Sequence, residues 1–422
     1  MTNHRSHLVG AALISTLCST HAFVVRDAPM TKSAPSPGPA LLNKIKDTTK
    51  IGDLVVPNVG IGTIAWSPKE STLDDLELQN LVSEACQSNA AFFDTGERYG
   101  PHKKSMFGLG WGETETFLSD MIRTSRPEEF GNGAVVATKF TPSPGRSTAQ
   151  SVVDACEKSR ERLGVDQIDL YQIHMPDIVK PLRFLGLDQC HDEAYWDGIA
   201  ECYHRGLVKN VGVSNYGPTL VTRCHEALAK RGVPLASNQI AYSLIGRHNG
   251  AQETVDRCAE LGVKVLAYYP YAMGLLTGKY SSEGSYSKTE EELTSLTGSR
   301  RSKFELSDLE KYSMGDGGET VPDGGIAPVL RVMEDIASRR TKTVAQVALN
   351  YVISKGAIPI PGARTAAQVR DNIGALGWRL SDKEVAMLEA EADQLGFGFD
   401  GAGFKKTSEK FVGYGMEKWR LD

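Results

Sequence analysis

The stretch AVVATKFTPSPGRSTAQSVVDACEKSRERLGVDQIDLYQIH, residues 134–174, joins two apolar runs through a segment with helical periodicity. Within residues 151–164, the apolar Val152, Cys156 and Leu163 recur on or near one helical face, and Gly164 is a typical helix stop. The flanking runs, residues 134–140 and 168–174, have the composition of buried strands. This order predicts two parallel strands covered by a helix.

The same alternation extends along most of the chain. Strand-like apolar runs alternate with helical patterns, and they lie at residues 59–65, 91–94, 134–140, 168–174, 208–215, 235–242, 263–269 and 357–362. No GxGxxG motif follows the first run, as a Rossmann half would require. The pattern therefore predicts an α/β protein with the (β/α)8 TIM barrel fold. A short N-terminal β-hairpin that turns at Pro57-Asn58 is expected before the first barrel strand.

Three segments fall outside this repeat, and they set the predicted domain boundaries. Residues 1–40 are expected to be a disordered or cleaved leader, residues 41–395 the barrel, and residues 396–422 a C-terminal tail that packs on the barrel. A long polar insertion, residues 281–324, separates the seventh strand from its helix. A loop of this length is either a lid over a bound cofactor or a plain surface excursion.

The leader has the features of a targeting sequence. The start MTNHRSH is followed by the apolar run LVGAALISTLC, which is too short to span a membrane, and by a small residue at Ala22. Phe23 and the following Ser/Pro-rich stretch resemble the bipartite signal plus transit peptides of algae with secondary plastids. We expect import into the plastid (chloroplast); secretion, or a leader without a targeting role, are the alternatives.

Composition and cysteine spacing argue against nucleic-acid binding, a disulfide framework and a metal site. The chain has 422 residues, a formal net charge of −5 and 41% hydrophobic residues, so it can bury a large core but shows no basic footprint for nucleic acid. Seven cysteines lie far apart without a CxxC pair. This spacing favours reduced thiols over a disulfide framework or a zinc site, so no metal is expected.

Four ionisable residues follow or end three consecutive predicted strands. Asp94 and Tyr99 belong to DTGERYG, residues 94–100, while Lys139 ends the third strand and His174 the fourth. Barrel active sites are built at the C-terminal ends of the strands, so these side chains are expected to converge. Tyr99 would act as a general acid, Lys139 would lower the pKa of the phenol, Asp94 would anchor Lys139, and His174 would orient a substrate oxygen.

Over roughly residues 50–392 the chain resembles the aldo-keto reductase superfamily. The matching motifs, in chain order, are GIGT, DTGERYG, TKF, QIHMP, GVSNY, SNQIAYS, AYYPYAMGLLTGKY and IPIPGARTAAQVRDN. The resemblance implies a (β/α)8 barrel that reduces aldehydes or ketones with NADPH, with its catalytic tetrad at Asp94, Tyr99, Lys139 and His174. The segments IPIPGA and GALGWRL are similar to plastid members from plants and algae, some of which reduce pyridoxal.

The resemblance also implies a nucleotide site across the later strands. Ser214, Asn215 and Gln239 match residues that hold the nicotinamide carboxamide, and Tyr268 matches the aromatic residue that stacks on the ring. Arg364 matches a residue that binds the 2′-phosphate of NADPH, although Gln368 stands where some members carry a second Arg. The implied cofactor contacts are Gly62, Thr63, Asp94, Ser214, Asn215, Gln239, Tyr268, Pro270, Gly362, Arg364, Gln368 and Asn372.

The sequence predicts four residues of the substrate pocket and leaves more than one functional class open. Trp66, Tyr99, His174 and Met175 are expected to line the pocket, but Met175 replaces a common Trp and Tyr271 a smaller aliphatic residue. The expected partner is a small carbonyl compound, with no nucleic acid, no membrane in the mature form, and a monomer or weak homo-oligomer. Two alternatives to this reductase are an NADPH-binding regulatory protein, like the potassium-channel β subunits, and an enzyme gated by cysteine oxidation.

Overall fold

The structure is a computed structural model that describes residues 47–66, 75–100, 110–125, 133–177, 190–248, 250–279, 325–399 and 404–406. All of them belong to one compact unit that begins at Ser36. The described strands are β1 Thr48–Ile51, β2 Leu54–Pro57, β3 Ile61–Gly62, β4 Phe92–Asp94, β5 Val135–Phe140, β6 Ile168–Ile173, β7 Val208–Ser214, β8 Leu235–Ala241, β9 Lys264–Tyr268, β10 Ile358–Ile360, β11 Phe397–Phe399 and β12 Phe404–Lys406.

The helices lie between these strands in sequence. They are α1 Asp75–Gln87, α2 Glu113–Ser125, α3 Ala149–Leu163, α4 Asp192–His204, α5 Pro218–Lys230, α6 Ala251–Glu260, α7 Ala327–Arg340, α8 Val344–Ser354, α9 Ala366–Ile373 and α10 Asp382–Gln394, with a 3₁₀ helix at Ala272–Thr277. In α3 the Thr148 side chain caps the N-terminus and Gly164 ends the helix at φ 65°. Val152, Cys156 and Leu163 are all buried, as their periodicity predicts.

Strands β3 to β10 form an eight-stranded parallel sheet in which each strand pairs with the next one along the chain. The first and last strands then meet. The amides of Gly60 and Gly62 donate to the carbonyls of Pro359 and Pro361 at 2.9 Å each, and Gly62 forms a parallel bridge with Gly362. The sheet therefore closes on itself, and the predicted (β/α)8 barrel is confirmed.

The N-terminal hairpin is present, but its predicted turn is wrong. Strands β1 and β2 pair antiparallel and turn at Gly52-Asp53, not at Pro57-Asn58. A two-residue hairpin turn requires positive φ, which Gly52 supplies at φ 56°, whereas Pro57 pairs within β2. The turn is held on the barrel by Asn210, whose Oδ1 accepts the Asp53 amide at 3.1 Å.

The hairpin closes the N-terminal end of the barrel. Its buried Ile51 and Val56 belong to one apolar cluster with Phe92, Leu170 and Ile358, which come from three barrel strands. A second and larger cluster fills the space between the strands and the surrounding helices. With this end sealed by apolar contacts, the polar side chains of the barrel interior are left to the opposite end, where the strands terminate.

Several predicted segments lie outside the described residues. These are the leader, residues 1–40, and the polar insertion, residues 281–324. Of the predicted tail, the backbone of the antiparallel pair β11–β12 is described. In the part of the chain that the structure describes, no helix has the length and apolar character needed to cross a membrane. Cysteines 86, 156, 190, 202, 224 and 258 are reduced.

Helices α3 and α4 approach each other closely at Gly198. A Cβ atom at this position would lie 2.5 Å from the carbonyl oxygen of Ala149 and 2.7 Å from Cβ of Val152. Because the nearest of these atoms belongs to the backbone, the helices would have to move apart to admit a methyl group. The contact between α3 and α4 thus depends on a glycine in the middle of a helix.

We expect Gly198→Ala to lower the free energy of unfolding by about 1–3 kcal/mol, measured by denaturant titration. In an ordinary exposed helix the same change raises stability, because alanine has the higher helix propensity. Gly362→Ala is the matched control, since its added Cβ would have no neighbour within 4 Å. Unchanged or increased stability of the Gly198 variant would show that the close helix contact is not a constraint.

Candidate active site

A buried lysine stands at the centre of the polar end of the barrel. The Nζ atom of Lys139 donates to Asp94 Oδ2 at 2.7 Å, to the Thr95 carbonyl at 2.7 Å and to Tyr99 Oη at 2.9 Å. An ammonium group has three N–H donors, so all of its donors are used. The side chains of Lys139 and Asp94 are 0% and 5% exposed, which makes this a buried ion pair.

The pKa of Tyr99 shifts in the direction opposite to the prediction. Burial raises the pKa of Tyr99 well above its ordinary value, and the negative charge of Asp94 raises it further. Burial also lowers the pKa of Lys139, while the charge and hydrogen bond of Asp94 oppose that effect. The net lowering of the phenol's pKa that the sequence predicts is therefore absent, because burial and the charge of Asp94 outweigh the hydrogen bond that Lys139 donates to the phenol oxygen. Tyr99 is held as a protonated phenol, the form that a proton donor needs.

His174 completes the group. Its ring meets the Tyr99 ring edge-on, with centroids 5.7 Å apart, and its Nδ1 lies 3.1 Å from the hydroxyl of Thr141. Burial, together with the positive charges of Lys139 and Arg98, lowers the pKa of His174 well below its ordinary value. The imidazole is therefore neutral near pH 7. The structure brings together all four side chains, Asp94, Tyr99, Lys139 and His174.

The residues predicted to hold the nicotinamide lie beside this group. Gln239 Nε2 donates to Asp94 Oδ1 at 2.8 Å, and the Ser214 hydroxyl donates to the Gln239 carbonyl at 2.8 Å. Asn215, at φ 64°, donates from Nδ2 to the His174 carbonyl at 3.0 Å and accepts from Tyr268 Oη at 2.7 Å. One hydrogen-bonded network thus connects the three amide and hydroxyl side chains to the ion pair.

Residues from the ends of the first and last strands complete the rim. Thr63 is fully buried and its hydroxyl donates to the Asp94 carbonyl at 3.1 Å, while the neighbouring Gly62 bridges to Gly362. Gly362 is exposed, and an added Cβ there would have no neighbour within 4 Å, so the backbone is accessible to a ligand. Pro270, just after β9, is buried.

Helix α9 presents its N-terminus at the same end of the barrel. Thr365 caps it, and the Gln368 side chain accepts the Arg364 amide at 2.7 Å. Burial lowers the pKa of the Arg364 guanidinium. Asn372 is 5% exposed and accepts from Tyr271 Oη at 2.7 Å, but its Nδ2 has no partner among the residues that the structure describes. A buried free donor and a helix N-terminus suit a polar, anionic ligand.

Met175 and Trp66, both predicted to line the substrate pocket, differ in how far they are buried. Met175 is half-buried next to His174, as expected for a wall residue. Trp66, in contrast, is fully buried: it packs against Phe93, and its Nε1 donates to the Ala363 carbonyl at 2.8 Å. In the part of the chain that the structure describes, the Trp66 indole therefore joins the first and last βα loops.

The sequence analysis did not predict a buried ion pair between Glu97 and Arg146. Glu97, inside DTGERYG, is 4% exposed and pairs with Arg146 through two contacts of 2.8 and 3.1 Å. Its Oε1 also accepts the Thr141 amide at 2.6 Å. Burial raises the pKa of Glu97, and the charge of Arg146 opposes this. The position of Glu97 between Asp94 and Tyr99 was the available signal, since it places a carboxylate in the same loop.

Comparison with known proteins identifies a single family across the barrel. The model of the aldo/keto reductase family matches residues 58–393. The chain is 36% identical over 352 residues to the chloroplastic pyridoxal reductase of Arabidopsis thaliana, covering 82% of this chain and 86% of that protein. It is 26% identical over 362 residues to an aldo-keto reductase of Strobilurus tenacellus, covering 82% and 92%.

Solved structures share the fold at lower identity. A glycerol dehydrogenase from Gluconobacter oxydans superposes with a TM-score of 0.60 and 24% identity, over 83% of this chain and 96% of that one. An aldo-keto reductase of Bombyx mori, solved in complex with NADP, superposes with a TM-score of 0.56 and 22% identity, over 82% and 92%. These similarities support the barrel architecture described above.

The raised pKa of Tyr99 can be tested directly. In the cofactor-free protein we expect Tyr99 to stay protonated beyond pH 10.0, the ordinary value for a tyrosine, because burial and Asp94 disfavour the phenolate. The measurement is an ultraviolet titration of the wild type minus that of Tyr99→Phe. A tyrosinate signal that appears below pH 10.0 in this difference would contradict the expectation.

Proposed function

Because this chain belongs to the aldo/keto reductase family, we propose that it reduces an aldehyde or ketone to an alcohol with NADPH, and that Tyr99 is the general acid. The observation that carries the proposal is the set of contacts around Lys139. All three N–H donors of its ammonium group are engaged, one of them on Tyr99 Oη at 2.9 Å. Lys139 therefore donates to the phenol oxygen and leaves the phenol's own hydrogen available.

The proton transfer follows from this arrangement. Tyr99 is protonated at neutral pH, and its hydroxyl hydrogen can point toward a carbonyl oxygen bound between the rings of Tyr99 and His174. When the proton leaves, the phenolate oxygen already accepts a hydrogen bond from a charged ammonium group. This preorganised donor stabilises the developing charge without any movement of the protein. The neutral His174 supplies a second donor to the same carbonyl oxygen.

The residues of the barrel rim fit the nicotinamide nucleotide. NADPH supplies the hydride that reduces the carbonyl carbon. Ser214, Asn215 and Gln239 would hold the carboxamide, and the half-buried Tyr268 ring would pack on the nicotinamide. Gly362, with open space beside its Cα, and the N-terminus of α9 with Arg364 would take the phosphates. The Nδ2 of Asn372, which has no partner among the described residues, would face the adenosine. The Bombyx mori relative, solved with NADP, supports this choice of cofactor.

The substrate is proposed as a small aldehyde or ketone. The relative named for pyridoxal reduction makes pyridoxal the first physiological aldehyde to test. Met175 and Tyr271 differ from the residues common in the family, so the pocket is shaped by this chain's own side chains. A panel of aldehydes and ketones, followed through NADPH absorbance with NADH in parallel, would rank both the substrates and the cofactors.

We propose that residues 1–40 direct the protein to a plastid and are removed there, leaving the barrel at 41–395 and the tail at 396–422 as a monomer or weak homo-oligomer. The support is the bipartite pattern of the leader and the chloroplastic relative. A fluorescent protein fused to residues 1–40 should accumulate in plastids, whereas export from the cell would favour the secretion alternative.

Replacing Tyr99 with Phe should lower kcat for a test aldehyde such as 4-nitrobenzaldehyde by about 10²–10⁴-fold, the usual contribution of a general acid. NADPH binding, followed by fluorescence, should be unchanged because the ring remains. Tyr203→Phe is the matched control, since this tyrosine lies on α4 at the outside of the barrel. It should keep full activity.

Two outcomes would contradict the proposal. Full turnover in the Tyr99→Phe variant would show that another group donates the proton. Very slow wild-type turnover with tight NADPH binding and a stable complex on size-exclusion chromatography would favour a regulatory NADPH-binding protein instead.

A further inference from the structure

Thr141 is a fully buried residue that contacts the candidate active site from behind. It follows the last residue of β5, Phe140, and its hydroxyl oxygen lies 3.1 Å from Nδ1 of His174. The reaction proposed above needs a donor from this ring, and Nε2 is the ring nitrogen that the Thr141 contact leaves available. The Thr141 contact therefore bears on which nitrogen carries the proton.

The backbone of Thr141 is fixed on both sides. Its amide donates to Glu97 Oε1 at 2.6 Å, and its carbonyl accepts from Arg146 Nη1 at 3.1 Å. The same Arg146 nitrogen donates to Glu97 Oε1 at 2.8 Å, and the guanidinium packs on the Phe140 ring at 4.5 Å. These contacts fix the backbone position from which the hydroxyl of Thr141 reaches His174.

The number of available protons distinguishes two hydrogen-bond arrangements between His174 and Thr141. Burial and two nearby cations keep His174 neutral, so its ring carries one N–H. With the proton on Nε2, the Thr141 hydroxyl donates to the bare Nδ1. With the proton on Nδ1, the ring donates to Thr141 Oγ1, and the hydroxyl hydrogen is left without an acceptor. In the part of the chain that the structure describes, His174 is the only hydrogen-bond partner of this hydroxyl.

We propose that Thr141 is a positioning residue that fixes His174 as the Nε2–H tautomer, and that the Glu97–Arg146 pair holds Thr141 in place for this role. A buried donor without an acceptor is strongly disfavoured, which selects the arrangement in which Thr141 donates. His174 then presents a donor to the substrate carbonyl, whereas a bare Nε2 would present a lone pair and repel it. The effect on turnover rests on the function proposed above; the tautomer itself does not.

The tautomer can be measured in the free protein by ¹⁵N NMR with labelled histidine. The His174 signals are assigned by their loss in His174→Asn. We expect a pyrrole-type Nε2 and a pyridine-type Nδ1 in the wild type, with proton couplings on Nε2 alone. The opposite pattern in the wild type would overturn the proposal without any further variant.

Matched variants isolate the hydroxyl. Thr141→Val keeps the shape and removes the donor, so the Nδ1 signal should move away from its hydrogen-bonded wild-type position, whereas Thr141→Ser should preserve the wild-type signals. Thr138→Val is the control, because Thr138 is also buried on β5 but donates its hydroxyl to Glu115 instead. It should leave the His174 signals unchanged.

Turnover supplies the second readout. Thr141→Val should lower kcat about tenfold, the factor that corresponds to one hydrogen bond, with KM for NADPH unchanged. Thr141→Ser should recover it. A Thr141→Val protein with wild-type ¹⁵N signals and wild-type kcat would refute the positioning role. Failure of the reductase proposal is seen separately, as very slow turnover of the wild type, and leaves the tautomer result intact.

Discussion

The buried ion pair between Asp94 and Lys139 is the interaction on which the rest of the site depends. Both side chains are almost completely removed from water, and the desolvation cost of such a pair is offset only when its hydrogen bonds are well made. Here they are: Lys139 uses all three donors, and Asp94 also accepts from Gln239. The need to satisfy these hydrogen bonds fixes the relative positions of β4, β5 and β8, and with them the place of Tyr99.

The barrel meets this requirement by separating apolar and polar ends. The hairpin seals the N-terminal end with Ile51 and Val56, while the hydrogen bonds of Gly60 and Gly62 to the last strand close the sheet. At the other end, the Glu97–Arg146 pair connects the loops that follow β4 and β5. The groups proposed to donate to the substrate oxygen, Tyr99 and His174, are thus supported by independent elements of the fold.

Much of this was predictable from local patterns, and the errors have physical causes. The eight strands and the helix ending at Gly164 follow from apolar periodicity, which depends on neighbouring residues alone. The hairpin turn was misplaced because Pro57 is a strong turn signal, yet Gly52 supplies the positive φ that the turn needs. The burial of Trp66 could not be predicted, because it depends on a contact with Ala363, 297 residues along the chain.

The sequence by itself determined the barrel, and it determined which chemical groups stand at the ends of the strands, because both are properties of short segments. Only the tertiary structure decided how those groups behave. It reversed the expected shift in the pKa of Tyr99, since the extent of burial depends on every surrounding element. It also joined Glu97 to Thr141 and Thr141 to His174, across separations of 44 and 33 residues that no local pattern reports.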